Sequence, residues 1–242
     1  MRDGAPATPT CAVSCRGVIK YYGTTAARTQ ALQGADLEVR LGEMTIIVGP
    51  SGSGKTTLVS AMTGIITPDA GSIRVLGEEI AKREAPYLAD FRSRQIGIVL
   101  QQFHLFPALT ALENVAVPLL VQGLSRKLAL LRSSQVLTEL GMERHLDRYP
   151  RQLSVGEQQR VAIGRALIHN PALIICDEPT AALDSTAGQA AMRLLRRVAL
   201  EPNRAVVVVT HDDRIIPLAD RIAHMRDGQV THVETIRKHE AA

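Results

Sequence analysis

The segment that most constrains the fold is residues 44–65, MTIIVGPSGSGKTTLVSAMTGI. Its first five residues form an uninterrupted β-rich apolar run, the pattern of a strand buried on both faces. Gly49, Pro50, Ser51, Gly52, Ser53, Gly54, Lys55 and Thr56 then satisfy G-x-x-x-x-G-K-[ST] in full, and a helix-like run follows. The motif carries weight because strand, loop and helix come in that order. The glycines let backbone N–H groups curl around phosphate oxygens without Cβ clashes. Lys55 supplies a cation for the β- and γ-phosphates, and the Thr56 hydroxyl a ligand for Mg²⁺, with Thr57 beside it. A chance Gly/Ser-rich turn would lack both flanking elements.

The rest of the chain repeats the pattern. GADLEVRLGEMTIIVG reads as strand, turn, strand, with ADLEV alternating like a half-buried antiparallel strand. GSIRVLGEEI reads as strand and turn, and IGIVLQQ, ALIICDEP and AVVVVTHD open on buried strands. TAGQAAMRLLRRVAL has amphipathic helical spacing, and RIAHMRDGQVTHV reads as a closing hairpin. From about Phe103 to Gly164 the texture turns to Leu, Ala, Arg and Gln at helical spacing, as in SRKLALLRSSQVLTELGM. These features predict an α/β fold, with a parallel sheet covered on both faces and a helical subdomain inserted in it. Residues 1–15 are expected to be a loose tail, 16–236 the folded domain with its helical part at about 103–164, and 237–242 a second tail.

Phosphate binding alone is not hydrolysis, which needs a carboxylate for the metal and a group to orient water. Asp177 and Glu178, at the end of ALIICDEP, supply both: Asp177 can reach the metal and Glu178 can polarise the attacking water. A second anion-binding candidate is LSVGEQQR, Leu153 to Arg160, where small residues precede a helix.

Composition narrows the partners. The net charge is +4 with scattered basic residues, no Trp and three Phe, which suits a nucleotide or an anionic membrane surface and falls short of a nucleic-acid signature. Of the three cysteines, Cys11 and Cys15 lack a second pair at zinc spacing, and Cys176 falls in a core run. No apolar stretch approaches the ~20 residues needed to span a bilayer, and the first ten residues lack the apolar region of a signal peptide.

The order of phosphate loop, VLQ, LSVGEQQR, LIICDEP, AALD and VTHD resembles the ATP-binding subunit of ABC transporters, from about Tyr22 to about Gly228. The resemblance implies a RecA-like P-loop NTPase core, an antiparallel β region and the helical subdomain. It implies ATP and Mg²⁺ as cofactors and ATP hydrolysis as the reaction. Tyr22 is similar to the aromatic that stacks on adenine, with Tyr21 as competitor. Gln101 resembles the glutamine that contacts Mg²⁺ and water at the hinge to the helical subdomain, with Gln102 adjacent. Ala182, Leu183 and Asp184 resemble the D-loop, and His211 the switch histidine that contacts the γ-phosphate. LSVGEQQR resembles the signature motif, so that Ser154, Gly156 and Glu157 of one subunit would close on the nucleotide held by the other. The chain would then dimerise, with itself or a close relative, around two ATP, on the cytoplasmic face of a membrane and joined to a permease. Val155 stands where the family has a glycine, and Glu157 where it commonly has glutamine.

Within the family, the spacer in YYGTTAARTQALQGADLEV and the segments QQFHLFPALTALENVAVPL and HDDRIIPLADRIAHMRDG resemble the lipoprotein-releasing, macrolide-exporting and DevA-like glycolipid-exporting ATPases. That implies export or extrusion of a lipid-like, lipoprotein or hydrophobic substrate. The alternatives are an importer ATPase for polar solutes and a soluble ATPase acting on ribosomes or DNA. Phe103, Leu105 and Phe106 are either core of the helical subdomain or the lining of a groove for the permease.

Overall fold

The structure, a computed structural model, describes residues 11–23, 28–181, 183, 185–199 and 201–236. In chain order its strands are β1 (Cys11–Tyr22), β2 (Thr29–Arg40), β3 (Met44–Val48), β4 (Ala70–Val75), β5 (Glu78–Glu79), β6 (Ile96–Val99), β7 (Leu173–Asp177), β8 (Ala205–Val209), β9 (Arg221–Arg226) and β10 (Gln229–Thr235). The helices are α1 (Lys55–Met62), α2 (Ala85–Gln95), α3 (Ala111–Val121), α4 (Arg126–Glu139), α5 (Val155–Leu167) and α6 (Ser185–Ala199).

The central sheet has the order β10-β9-β3-β8-β7-β6. Its four pairings from β9 to β6 are parallel, and β10 adds antiparallel at one edge. Alternation along the strands makes two cores. Ile47, Ile175, Val207 and Val209 face α1, with Leu58 and Met62. Met44, Ile46, Ile174, Cys176, Val206 and Val208 face α5 and α6, with Ile163, Met192 and Leu195. The continuous apolar runs read from the sequence are therefore strands covered on both faces. Cys176 is wholly buried, and the low-dielectric surroundings push its thiol above the ordinary range.

The second sheet, β2-β1-β4-β5, is antiparallel. Its inner side chains Val13, Cys15, Leu37, Val39, Ile73 and Val75 join the α1 core. This corrects the expected tail boundary. Strand β1 begins at Cys11, not after Cys15, because it is zipped between β2 and β4 and buries Ala12, Val13 and Cys15. Burial pushes the Cys15 thiol up to about 12, while Cys11 is exposed. Among the described residues no group of His, Cys, Asp or Glu is arranged to hold a metal ion.

Helix α2 goes unmarked in the sequence reading: its only buried side chain is Leu88, so it carries no apolar stripe. The helical subdomain has a core of its own, formed by Val115, Leu119, Leu137, Met142, Leu153 and Val161. Helix α5 serves two cores, Val161 facing the subdomain and Ile163 and Ala166 the sheet. It runs to Leu167, past the expected boundary at 164. No helix among the described residues is long and apolar enough to cross a membrane.

Candidate functional site

The C-terminal ends of β3, β8, β7 and β6, neighbours in the sheet, carry the predicted chemistry. In parallel sheets ligands bind outside this edge, where the connections diverge. The loop after β3 leads into α1 through Gly54, which caps the helix at φ 97°. A Cβ on Gly54 would lie 2.5 Å from the Ala31 carbonyl oxygen, and one on Gly49 would lie 2.2 Å from that of Met225. Only glycine fits at either position. The N-terminus of α1 has no side-chain cap and no acidic residue in its first turn, so its N–H groups are available to an anion. Lys55 Nζ donates to the Gly49 and Pro50 carbonyl oxygens at 2.8 and 2.9 Å, folding the side chain over the loop. A cavity is lined here by Ala31, Gly52, Gly54, Lys55, Thr56 and Thr57. Ser53 Oγ is buried without a hydrogen-bond partner.

Thr56 Oγ1 donates to Asp177 Oδ2 at 3.2 Å. Two hard oxygen donors, from the start of α1 and the end of β7, thus meet beside the phosphate loop. Burial pushes the Asp177 carboxyl above the ordinary carboxylate range; the Thr56 hydroxyl and Lys55 oppose this and neighbouring Glu178 adds to it. A cation there would reverse the balance.

Glu178 follows in the left-handed region, at φ 50°. Its N–H donates to the Val209 carbonyl oxygen at 2.9 Å. Its carboxylate Oε1 lies 2.8 Å from Nδ1 of His211, just beyond β8, and its Oε2 is buried without a partner. Glu178, Thr180, Ala181, Leu183, His211, Asp212, Asp213 and Arg214 line a second cavity. Five of these residues, Thr180, Ala181, Asp212, Asp213 and Arg214, were missed in the sequence. Thr180 Oγ1 donates to Asp212 Oδ2 at 3.3 Å, tying the segment after Glu178 to the one that carries His211. Asp212 in turn accepts from Arg214 Nε at 2.8 Å, and that guanidinium holds its carboxyl below the usual range. The pattern Glu-Pro-Thr and the acid after His211 were the available signals. Of the D-loop residues, Leu183 donates its N–H to the Thr180 carbonyl oxygen, whereas Ala182 and Asp184 lie outside the described residues.

Gln101 and Gln102 form an exposed turn at the same sheet edge, two and three residues past β6. The backbone beyond is strained and braced. Phe103 and His104 have φ 57° and 46°, and Arg165 of α5 donates to both their carbonyl oxygens, at 2.6 and 2.7 Å. Asn114, fully buried, accepts from the Phe106 N–H at 2.8 Å and donates to the Phe106, Leu109 and Thr110 carbonyl oxygens. The aromatic run is therefore divided: Phe103 is buried, Leu105 packs against the subdomain core, and Phe106 is 49% exposed.

Tyr22 ends β1 with its ring exposed. The Arg28 guanidinium lies 3.7 Å from the centroid of Tyr21, whose ring face is thus covered. Ser154 caps α5 and Glu157 completes the box: Ser154 N–H donates to Glu157 Oε2 at 2.7 Å, and Glu157 N–H to Ser154 Oγ at 3.4 Å. That backbone N–H holds the Glu157 carboxyl below its ordinary range. Val155 is the first residue of the helix and Gly156 the second, both without positive φ. The position where the family has glycine needs no special backbone in this chain. Leu153–Arg160 contributes to neither cavity at the sheet edge.

Comparison with known proteins agrees with this geometry. Residues 32–181 match the family model described as ABC transporter. The chain is 39% identical over 219 residues to the lipoprotein-releasing system ATP-binding protein LolD of Chromohalobacter salexigens, covering 90% of this chain and 92% of that one. It is 40% identical over 215 residues to the macrolide export ATP-binding/permease protein MacB of Shigella flexneri, covering 89% of this chain but only 33% of that longer protein. Its fold matches, at TM-score 0.87 and 38% identity, the structure titled as a dimeric post-hydrolysis state of the ATP-binding cassette MJ0796 bound to ADP and Pi, covering 94% of this chain and all of that one. With its phosphate loop and paired acids at one sheet edge and the family model matching most of its length, the chain belongs to the ABC transporter family, as an ATP-binding and ATP-hydrolysing subunit.

Proposed function

We propose that two copies of the chain close around two ATP and drive a separate membrane subunit that exports or extrudes a lipid-like, lipoprotein or other hydrophobic substrate. The observation that carries the catalytic part is the line Thr56–Asp177–Glu178–His211, drawn from three adjacent strand ends with contacts of 3.2 and 2.8 Å. In this reading the α1 N-terminus and Lys55 bind the β- and γ-phosphates, and Thr57 and the hydroxyl of Ser53 support the loop. Tyr22 stacks on adenine. Thr56, Asp177 and Gln101 are the residues to hold Mg²⁺, which, when bound, supplies charge neutralisation across the β- and γ-phosphate oxygens. Glu178 takes a proton from the attacking water, and His211 orients Glu178 and reaches the γ-phosphate. Ser154, Gly156 and the α5 N-terminus complete the site of the opposite subunit. The similarity over nearly the full length of LolD supports the export reading, and the dimeric state of the matched cassette supports the pairing. Phe106, exposed beside the hinge, is the residue to meet the membrane subunit.

Glu178→Gln tests the catalytic core. It keeps the shape and loses the base, so hydrolysis should fall at least ~10²-fold while ATP is still bound, and the protein should elute as an ATP-dependent dimer. Near-normal turnover would remove Glu178 from this role.

A further inference from the structure

Gln101 is exposed, and its side chain makes no hydrogen bond among the described residues. Its position is therefore set by the backbone on either side. Upstream, β6 is anchored. Val99 pairs with Cys176, so Gln101 leaves the sheet beside Asp177. A Cβ on Gly97 would lie 2.3 Å from the Ala166 carbonyl oxygen, so β6 and α5 pack in direct contact. His169, two residues past α5, places Nε2 3.1 Å from the Ile96 carbonyl oxygen. Downstream, Phe103 and His104 are both left-handed, at φ 57° and 46°. Two successive left-handed side chains are costly, because each Cβ crowds the carbonyl oxygen that follows it. The last turn of α5 offsets that cost. Arg165, half-buried there, donates from Nη2 to the Phe103 carbonyl oxygen at 2.6 Å and from Nη1 to that of His104 at 2.7 Å. These two carbonyls are its hydrogen-bond acceptors among the described residues, and no carboxylate there pairs with it.

We propose that Arg165 is a positioning residue for Gln101: by fixing the left-handed turn at Phe103 and His104, it holds the glutamine at the sheet edge that carries Asp177. An arginine suits this task because its planar fork meets two acceptors at once, whereas a lysine ammonium is a single point charge. Hydrogen bonds from a charged donor are also the stronger kind. Without them the turn has no reason to keep both residues left-handed, and Gln101, two residues earlier, loses its fixed exit from β6. The inference rests on the reading that Gln101 helps to hold the metal of the bound nucleotide, and adds the residue that places it. If Arg165 served only the packing of the helical subdomain, its loss would be felt whether or not Gln101 is present. If it acts through Gln101, the two losses are one.

The test is a double-mutant cycle in the full chain between Arg165→Gln and Gln101→Ala, with two readouts. One is ATP turnover with Mg²⁺. The other is the Mn²⁺ affinity of the chain loaded with a non-hydrolysable ATP analogue, followed by electron paramagnetic resonance. Each single variant should lower kcat by about tenfold or more, the scale for a displaced group at a reacting centre, and should weaken Mn²⁺ binding. Nucleotide affinity without metal should stay within about twofold of wild type. The double variant should be no worse than Gln101→Ala alone, again within about twofold, because nothing is left for Arg165 to place. Arg165→Lys keeps the charge but cannot serve both carbonyls. It should give an intermediate loss, and it carries the cycle if the glutamine variant fails to fold. Losses that multiply in the double variant, a fall in metal-free nucleotide affinity, or an Arg165→Gln chain that behaves as wild type each overturn the proposal and leave the role of Gln101 standing. A silent Gln101→Ala overturns both, so the two failures are distinguishable.

Discussion

Glu178 is the residue on which most converges. A non-glycine side chain in the left-handed region costs roughly 1–2 kcal/mol, and the fold holds it there with a backbone bond to Val209 and a carboxylate bond to His211. The strained turn lets two consecutive acids do different work. Asp177 stays beside Thr56, while Glu178 turns toward β8. His211→Ala should leave ATP affinity near the wild-type value and cut kcat by about 10²-fold, because it frees the Glu178 carboxylate without touching the phosphate loop. Steady-state kinetics beside nucleotide titration separate the two; a change in KM alone would assign His211 to binding.

At the scale of the element, the helix N-termini differ in how they are capped. Helices α3 and α5 carry capping boxes, Thr110 with Glu113 and Ser154 with Glu157. Helix α1, like α2 and α4, has neither side-chain cap nor first-turn acid, and it alone follows the phosphate loop. The α3 box also fixes the connection from the hinge, since Asn114 in the same turn clamps residues 106–110. Thr110→Ala should destabilise the chain by about 1 kcal/mol, the usual cost of losing such a cap. The Thr110 N–H and then Arg126 hold the Glu113 carboxyl below its ordinary value near 4.5. A depressed carboxylate contributes stability that is complete above its unfolded value and is lost as pH falls through the folded one. Glu113→Gln should therefore be less stable than wild type at neutral pH, and the gap should close on acidification below about 4.5. Thermal melts at several pH values measure it, and a gap that persists in acid would show that the carboxylate charge is not what the cap uses.

For the whole molecule, the separation of the two anion sites matters most. The cavities at the sheet edge take no lining residue from Leu153–Arg160, so a site using both motifs needs two chains. Lys55→Ala and Ser154→Arg chains, each inactive alone, should recover activity when mixed, because one composite site in the mixed dimer keeps both motifs intact. Mixed dimers shown to form and to hold ATP at that site, yet without activity, would count against separable sites.

The amino-acid sequence by itself determined the α/β class, the doubly covered strands and the identity of the chemical groups. Burial on both faces writes itself as continuous apolar runs, and a phosphate loop needs glycine where Ala31 and Met225 carbonyl oxygens crowd Gly54 and Gly49. Asp177, Glu178 and His211 were legible because each ends such a run. What only the tertiary structure decided concerns groups whose partners are far along the chain. Strand β1 starts inside the expected tail because β2 and β4 flank it. Helix α2 has one buried side chain and so no periodic signal. Thr180 and Asp212, separated by 32 residues, meet only when β7 and β8 lie side by side. Phe103 and Phe106 are alike in sequence, and only the packing of Arg165 and Asn114 around their backbone buries one and exposes the other.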